Sequence, residues 1–194
     1  MANTQSAFGF RQIGYLSGGG PDYQQQTRLI QSTNTTKIFA GDPVIKSGQY
    51  IVQAASGTTT VLEGIFVGCQ YTPSGGLGIP QWSPYWPGAA ASDATAYVIN
   101  APNALFLAAA LNTAIVTTNI GDGINFAIGT GSTTGGGFSG ATLDYTTLTT
   151  ATTAPFQVVS LYQGVGNGSD PSTAYNWVVV TFNNQRFKSL AGVT

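Results

Sequence analysis

The sequence predicts a mainly β protein, built as a single β-barrel or β-sandwich domain with an extended N-terminal arm. Three observations favour this fold class. Glycine is abundant, with 26 among 194 residues, and Thr and Ser are frequent, a composition typical of strands and turns. Short apolar runs recur about every ten residues with turn signals between them. The runs have no fixed period, which disfavours a solenoid or a propeller.

Residues 1–25 are predicted to form the arm. The stretch LSGGGPDYQQQ combines glycines, a proline and polar residues and has no period of 2 or 3.6. The arm nevertheless carries Phe8, Phe10 and Tyr15, which make it too apolar for a free tail. We expect it to pack against a neighbouring subunit or partner. Folding back onto the chain's own core is the open alternative.

Residues 26–194 are predicted to form the β domain. Gly41, Asp42 and Pro43 supply a turn between two of its first strands. Gly64 and Gly68 mark bulges or close backbone approaches in a longer one. The runs that predict these strands are TRLIQ, TKIFA, PVIK, GQYIVQAA and TVLEGIFVGCQY.

A long loop is predicted at residues 72–95, which hold four of the nine prolines and two of the three tryptophans. Long loops in compact domains are usually functional or disordered, and the aromatic side chains argue against disorder. We expect Trp82, Tyr85 and Trp86 to contact a partner, since aromatic residues are typical interface anchors. Burial of these rings in the chain's own barrel is the alternative.

The C-terminal half carries further strand signals. AYVINAPNALFLAAALN predicts two strands around Asn100–Asn103, with a helical turn as the alternative for its Ala-rich end. NTAIVTTNIGDGINFAIG predicts a strand, a Gly-Asp-Gly turn and a strand, and GTGSTTGGGFSG predicts a loop. The last strong strands lie in APFQVVSLYQG and YNWVVVTFN. The Val triplet of the second predicts a central strand covered on both faces.

Charge is scarce, and its distribution excludes several classes of partner. Only 7% of residues are charged and the formal net charge is -1, against about 25% charged residues in ordinary soluble domains. We expect a neutral polar surface or one covered by partners. The six basic residues are scattered, which argues against nucleic acid and against an anionic membrane surface. Neither a signal peptide nor an apolar membrane-spanning stretch is predicted.

The residue types needed for most catalytic sites are missing. The chain has no histidine and one cysteine, which excludes Ser-His-Asp and Cys-His sites and disfavours zinc. Cys69 is expected to be a small buried hydrophobe. Asp42, Asp122 and Asp170 lie in turn sequences and are expected to bind backbone N–H groups. The Gly-rich runs match no phosphate-loop pattern, so we predict no enzyme, no cofactor and no metal site.

Several motifs follow one another along the chain, and none of them is a catalytic signature. They are GFRQIGYLSGGG, IFAGDPVIKSG, GIFVGCQY, YWPG followed by AYVINAPNALFLAA, GFSGATLDY, TATTAPFQVVSLYQ and VVVTFNNQRF. Their order resembles that of tailed-phage head decoration proteins, also called cement proteins, over nearly the whole chain. The closing segment departs from that family, which often has a His where this chain has Gln185 or Arg186.

The resemblance implies a non-enzymatic virion protein on the capsid exterior, synthesised in the host bacterial cytoplasm. It implies binding to major capsid proteins of the HK97 type, as a homotrimer near threefold positions. Such a protein would cement neighbouring capsomers against the pressure of packaged DNA, and many copies on one lattice would gain by avidity. The contacts with partners are expected at Phe8, Phe10, Arg11, Tyr15, Trp82, Tyr85 and Trp86.

Two other readings stay open. A receptor- or glycan-binding adhesin of a phage tail or virion surface is the first, because Gly/Thr/Ser-rich β domains with exposed Tyr and Trp suit sugar stacking. An enzyme that uses a pair of Asp side chains is the second. Binding to bare capsids, binding to glycans and turnover of a polysaccharide distinguish the three.

Overall fold

The computed structural model describes residues 2–22, 24–75, 77–134 and 136–188. In these ranges the chain forms β-strands and one short 3-10 helix, at Thr117–Asn119. The prediction of a mainly β barrel fold is confirmed, although the strands close two barrels. The strands are β1 (Arg11–Tyr15), β2 (Gln26–Ile30), β3 (Ile38–Phe39), β4 (Pro43–Ser47), β5 (Tyr50–Gln53), β6 (Leu62–Tyr71), β7 (Gln81–Ser83), β8 (Tyr85–Trp86), β9 (Ala94–Ile99), β10 (Ala104–Leu111), β11 (Gly123–Ala127), β12 (Thr142–Thr149), β13 (Phe156–Leu161) and β14 (Trp177–Phe182).

The N-terminal barrel has five strands in the order β4-β5-β2-β9-β6 and is closed by pairing of β4 with β6. Its pairs are antiparallel except β2 with β5, which run parallel at Leu29 and Tyr50. Side chains alternate between its interior and its outer surface, as the pleat of a strand requires. The interior includes Ile30, Val44 and Phe66, all fully buried.

The C-terminal barrel has five strands in the order β10-β12-β11-β13-β14 and is closed by pairing of β10 with β14. Strands β10 and β12 are parallel, with Ala110 opposite Leu143. Strand β14 lies between β10 and β13, which confirms the central position predicted from its Val triplet. The core is aromatic, with Phe106, Phe126, Phe156 and Phe182 fully buried.

The chain passes from one barrel to the other between β1 and β2, between β9 and β10, and after β14. Residues 100–103 connect β9 to β10, as the sequence predicts, and the Ala-rich end of this segment is strand. After β14 the chain returns to the N-terminal barrel, where Leu62 N–H donates to Asn184 O at 3.1 Å and Arg186 N–H donates to Leu62 O at 3.0 Å. Leu62 and Ile65 also pack into the same apolar cluster as the aromatic core of the C-terminal barrel. The barrels therefore share one packed interface.

The predicted arm lies on the chain's own barrels over its described part. Strand β1 pairs antiparallel with β10, with Arg11 opposite Leu107. Just before β1 the arm crosses the turn at Gly41, where Phe10 N–H donates to Gly41 O at 3.0 Å. A Cβ on Gly9, whose φ is +72°, would lie 2.6 Å from the Cβ of Ser139, so no side chain fits there. This arrangement is the alternative that the sequence left open.

The structure refines two other predictions. The long loop at residues 72–95 contains β7, which pairs with β6, and β8, which pairs with β3. The strand predicted before the Gly-Asp-Gly turn is wrong, because residues 112–120 form bends, irregular backbone and the 3-10 helix. Tyr23, Gly76 and the tail from residue 189 onward lie outside the described residues.

Candidate partner-binding surface

The acidic side chains serve the fold. Asp170 accepts hydrogen bonds from Ser172 N–H at 2.9 Å and Ser172 Oγ at 2.6 Å, which is the turn role predicted for it. Asp93 accepts from Ser32 N–H at 2.9 Å and Tyr50 Oη at 2.8 Å. These hydrogen bonds hold the pKa of both carboxyl groups below the ordinary value. Within the described ranges no three His, Cys, Asp or Glu side chains come together as metal ligands.

Asp42 has a larger structural role than its turn sequence indicates. Its carboxylate is buried and accepts from Phe39 N–H at 2.8 Å, from Gln53 Nε2 at 2.7 Å and from Ser139 Oγ. Burial, which outweighs these hydrogen bonds, raises the pKa of Asp42. The side chain thereby ties the Gly41 turn to the loop before β12 and fixes the path that the arm crosses.

Glu63 on β6 forms a buried ion-pair network. Its side chain is fully buried, and its two oxygens accept from Arg28 Nε and, at 3.2 Å, from Arg186 Nη1. Arg28 lies on β2 and Arg186 on the segment that returns from the C-terminal barrel. Next to it, Gln185 Nε2 donates to the carbonyl oxygens of Glu63 and Asn100, each at 3.3 Å. The network ties the connection between β9 and β10 and the segment that returns after β14 to the N-terminal barrel.

Cys69 is buried in the N-terminal barrel, as the sequence predicts. Desolvation raises the pKa of its thiol to about 12. The thiolate, which is the reactive form, is therefore scarce at neutral pH.

Two of the residues predicted to contact a partner are core residues, and those two predictions are wrong. Phe10 is 2% exposed and its ring stacks on Phe156. Trp86 is fully buried, with its Nε1 donating to Asn34 O at 2.9 Å and its ring edge-to-face with Tyr71. Phe10 packs on the aromatic core of the C-terminal barrel and Trp86 lies in the core of the N-terminal barrel, so the chain itself covers both rings. Their positions in an arm and in a Pro-rich loop had indicated exposure.

Two other predicted contacts are half-buried and make local interactions. Tyr15 donates its hydroxyl hydrogen to Asp22, and burial together with this hydrogen bond raises the pKa of Tyr15. Tyr85 stacks on Phe39 with ring centroids 5.6 Å apart. Both rings keep part of their surface in solvent, so the prediction that they contact a partner stays untested.

Trp82 belongs to an exposed apolar surface, which we call the β7 patch and define as Leu77, Ile79 and Trp82. Leu77 is 93% exposed and Trp82 is 61% exposed. The Trp82 ring lies against Gly68 of β6, where a Cβ would come within 2.9 Å of the ring atom Cζ2. Among the described strands β7 pairs only with β6, so its other edge is unpaired. The patch thus combines large apolar side chains with free backbone hydrogen-bonding groups.

Arg11 belongs to a second surface feature, together with the exposed ring of Phe138 and the half-buried ring of Phe8. The Arg11 guanidinium carbon lies 4.5 Å from the centroid of the Phe138 ring and 5.3 Å from that of Phe8. No acidic side chain of the described part of the chain forms an ion pair with Arg11. The sequence analysis missed Phe138, Leu77 and Ile79. Large apolar residues inside Gly- and Pro-rich loops were the available signal for all three.

Comparison with known proteins found no protein family whose pattern matches the chain, no curated protein similar to it in sequence and no solved structure that matches its fold. The resemblance to decoration proteins therefore remains a prediction. The described residues also contain no helix with the length and apolar character needed to span a membrane.

Proposed function

We propose that this chain is a virion structural protein that binds the outer surface of an HK97-type capsid lattice and cements neighbouring capsomers. The observation that carries the proposal is the β7 patch, where apolar side chains stand in solvent beside an unpaired strand edge. Such an edge promotes aggregation unless another surface covers it. A permanent partner on the particle supplies that cover.

The scarcity of charge supports the same proposal. With 7% charged residues the free chain has little electrostatic protection against self-association. A protein that assembles on a lattice soon after synthesis needs less of this protection. A closed homotrimer would cover part of the apolar surface, and many copies would hold the lattice by avidity even when each contact is weak.

The test compares binding of two surface variants to capsids that lack the protein. The first combines Leu77→Ser with Trp82→Ala in the β7 patch. The second, Val165→Ser, is the control and changes a side chain between β13 and β14 that is 93% exposed, like Leu77. We expect Leu77→Ser combined with Trp82→Ala to weaken capsid binding tenfold or more, as for interface anchors. Val165→Ser should not lower the melting temperature, and the β7-patch variant should lower it only slightly, because Leu77 is almost fully exposed and Trp82 is 61% exposed.

Cryo-EM of the decorated particle completes the test. The proposal predicts density for the protein on the outer lattice, bridging capsomers, with the β7 patch covered. Density confined to a tail, or equal capsid binding by both variants, would overturn it. Light scattering of the free protein checks the expected trimer.

One observation favours a second candidate, the glycan-binding adhesin. The exposed Trp82 ring lies against Gly68, and Tyr97 is the cross-strand neighbour of that glycine. Gln70, the cross-strand neighbour of Trp82, adds a polar group at the same surface. Aromatic rings flanked by amides suit sugar binding. Saturable quenching of Trp fluorescence by oligosaccharides, abolished by Trp82→Ala, would support this candidate over capsid binding.

A further inference from the structure

A cavity of about 260 Å³ lies where the arm passes between the two barrels. Its wall is mainly apolar and is built from Phe10 of the arm, Ile65 and Val67 of β6, and Ile99 of β9. Arg11 and Phe138, both exposed, also line it and mark the side that opens to solvent. The space is large enough for one apolar side chain together with the backbone group that carries it.

Gln12 brings an unpaired amide into this cavity. The side chain is 4% exposed, and neither Oε1 nor Nε2 has a hydrogen-bond partner. The hydroxyl of Tyr15, which donates to Asp22, comes near the amide and acts on it electrostatically, but it lies outside hydrogen-bond geometry with either Gln12 atom. Buried polar groups are nearly always paired, so an amide with both atoms free calls for an explanation.

We propose that this cavity binds an extended peptide segment in which an apolar side chain lies beside a carboxylate. The inference goes beyond the proposed function, because it concerns the chemistry of a ligand and holds for any partner that presents such a segment. The apolar side chain fills the space between Phe10, Ile65 and Ile99. The carboxylate pairs with Arg11.

Three features of the cavity match groups of this ligand. A carboxamide with a free donor and a free acceptor matches the C=O and N–H of one peptide group, so Gln12 pairs with backbone. The apolar wall favours a Leu-like or Phe-like side chain, whose burial removes its surface from water. Arg11, oriented by the rings of Phe8 and Phe138 and free of any acidic partner in the described chain, provides the cation for the carboxylate.

The test uses the isotope-labelled full chain and N-acetyl-leucine, which carries one apolar side chain, one amide and one carboxylate. NMR titration follows the side-chain NH₂ signals of Gln12 and the methyl signals of Ile65 and Val67. N-acetyl-leucinamide, which lacks the carboxylate, and acetate, which lacks the apolar group, serve as matched probes. We expect saturable shifts with N-acetyl-leucine, binding at least roughly tenfold weaker with the amide, and no shift of the cavity methyls with acetate.

Two variants sharpen the result. Arg11→Gln should weaken the binding of N-acetyl-leucine at least roughly tenfold and leave the affinity for N-acetyl-leucinamide unchanged. Lys46→Gln makes the same charge change on an exposed side chain of β4 and should alter the affinity for neither compound. If N-acetyl-leucine causes no saturable shift at its solubility limit, or if acid and amide bind equally to the wild type and Arg11→Gln has no effect, the proposal is overturned.

Discussion

The ring of Phe10 stacks on that of Phe156, with centroids 4.4 Å apart and planes inclined by 12°. Phe156 in turn stacks on Phe182, whose ring is edge-to-face with Phe106. A residue of the N-terminal arm thus continues the aromatic core of the C-terminal barrel. The arm is therefore part of what holds the fold together, whatever it does at the surface.

Phe10→Ala is expected to destabilise the protein strongly. Removing a fully buried phenylalanine costs about 3–5 kcal/mol through lost burial and the cavity left behind. Phe8→Ala, at a half-buried ring beside Trp177, should cost clearly less. Chemical denaturation of both variants measures the difference. Equal stability of Phe10→Ala and wild type would mean that the arm leaves the core in solution.

Gly9→Ala is expected to disrupt the crossing of the arm over the Gly41 turn. The added Cβ would come within 2.6 Å of Ser139 Cβ and 2.8 Å of Gly41 O, and the positive φ adds strain. We expect the free energy of unfolding to fall by roughly 2–4 kcal/mol, combining overpacking with left-handed strain.

Gly18→Ala is the matched control for this crossing. Gly18 also has a positive φ, +87°, but a Cβ there would meet no atom within 4 Å. Only the conformational cost remains, about 1–2 kcal/mol. If both alanine variants lose the same free energy, the close contact at Gly9 contributes nothing and the arm crosses more loosely than described.

The sequence predicts the strands that have local signals, but it does not predict how strands distant in the sequence pair. Strands such as β6 and β14 are predictable because apolar runs and turn residues are local signals. Strand β12 was missed as a strand because its TTLT end is polar and half-buried, so it lacks the apolar run. Closure of two barrels depends on pairings such as β4 with β6 and β10 with β14, which no local pattern records.

The candidate site was harder to predict for a related reason. Trp82 and Trp86 lie four residues apart in the same Pro-rich loop and were both predicted to contact a partner, yet Trp82 is exposed and Trp86 is buried. Their difference arises from pairing, since β7 lies at a sheet edge and β8 places Trp86 in the barrel interior. Gln12 was not singled out at all, because its burial follows from the arm's passage between the barrels.

Glu63→Gln is expected to weaken the connection between the barrels. The change keeps the shape of the side chain and removes the negative charge that Arg28 and Arg186 share. Breaking a buried ion pair costs about 3–5 kcal/mol, and we expect roughly 2 kcal/mol here because both guanidinium groups reach solvent. Asp122→Asn, which removes a carboxylate with no ion pair among the described residues, is the control. An equally small loss in both variants would show that the network adds no stability.

Asp42 is expected to make stability fall as pH rises. Burial raises its pKa in the folded state above the unfolded value of about 3.9. Between these two values the folded state holds the proton that the unfolded state has released. The folded state then binds more protons, so the contribution of Asp42 to the free energy of unfolding decreases as pH rises through this interval and is constant above it.

Asp42→Asn isolates this contribution, because the other carboxyl groups titrate alike in both proteins. The difference in unfolding free energy, wild type minus Asp42→Asn, should decrease from pH 3.5 upward, about where an unfolded Asp begins to ionise, and then level off. Urea denaturation at a series of pH values measures it. Burial and the three hydrogen bonds to the carboxylate act in opposite directions on this pKa. A difference that grows with pH would mean that the bonds from Phe39, Gln53 and Ser139 outweigh desolvation and hold Asp42 ionised.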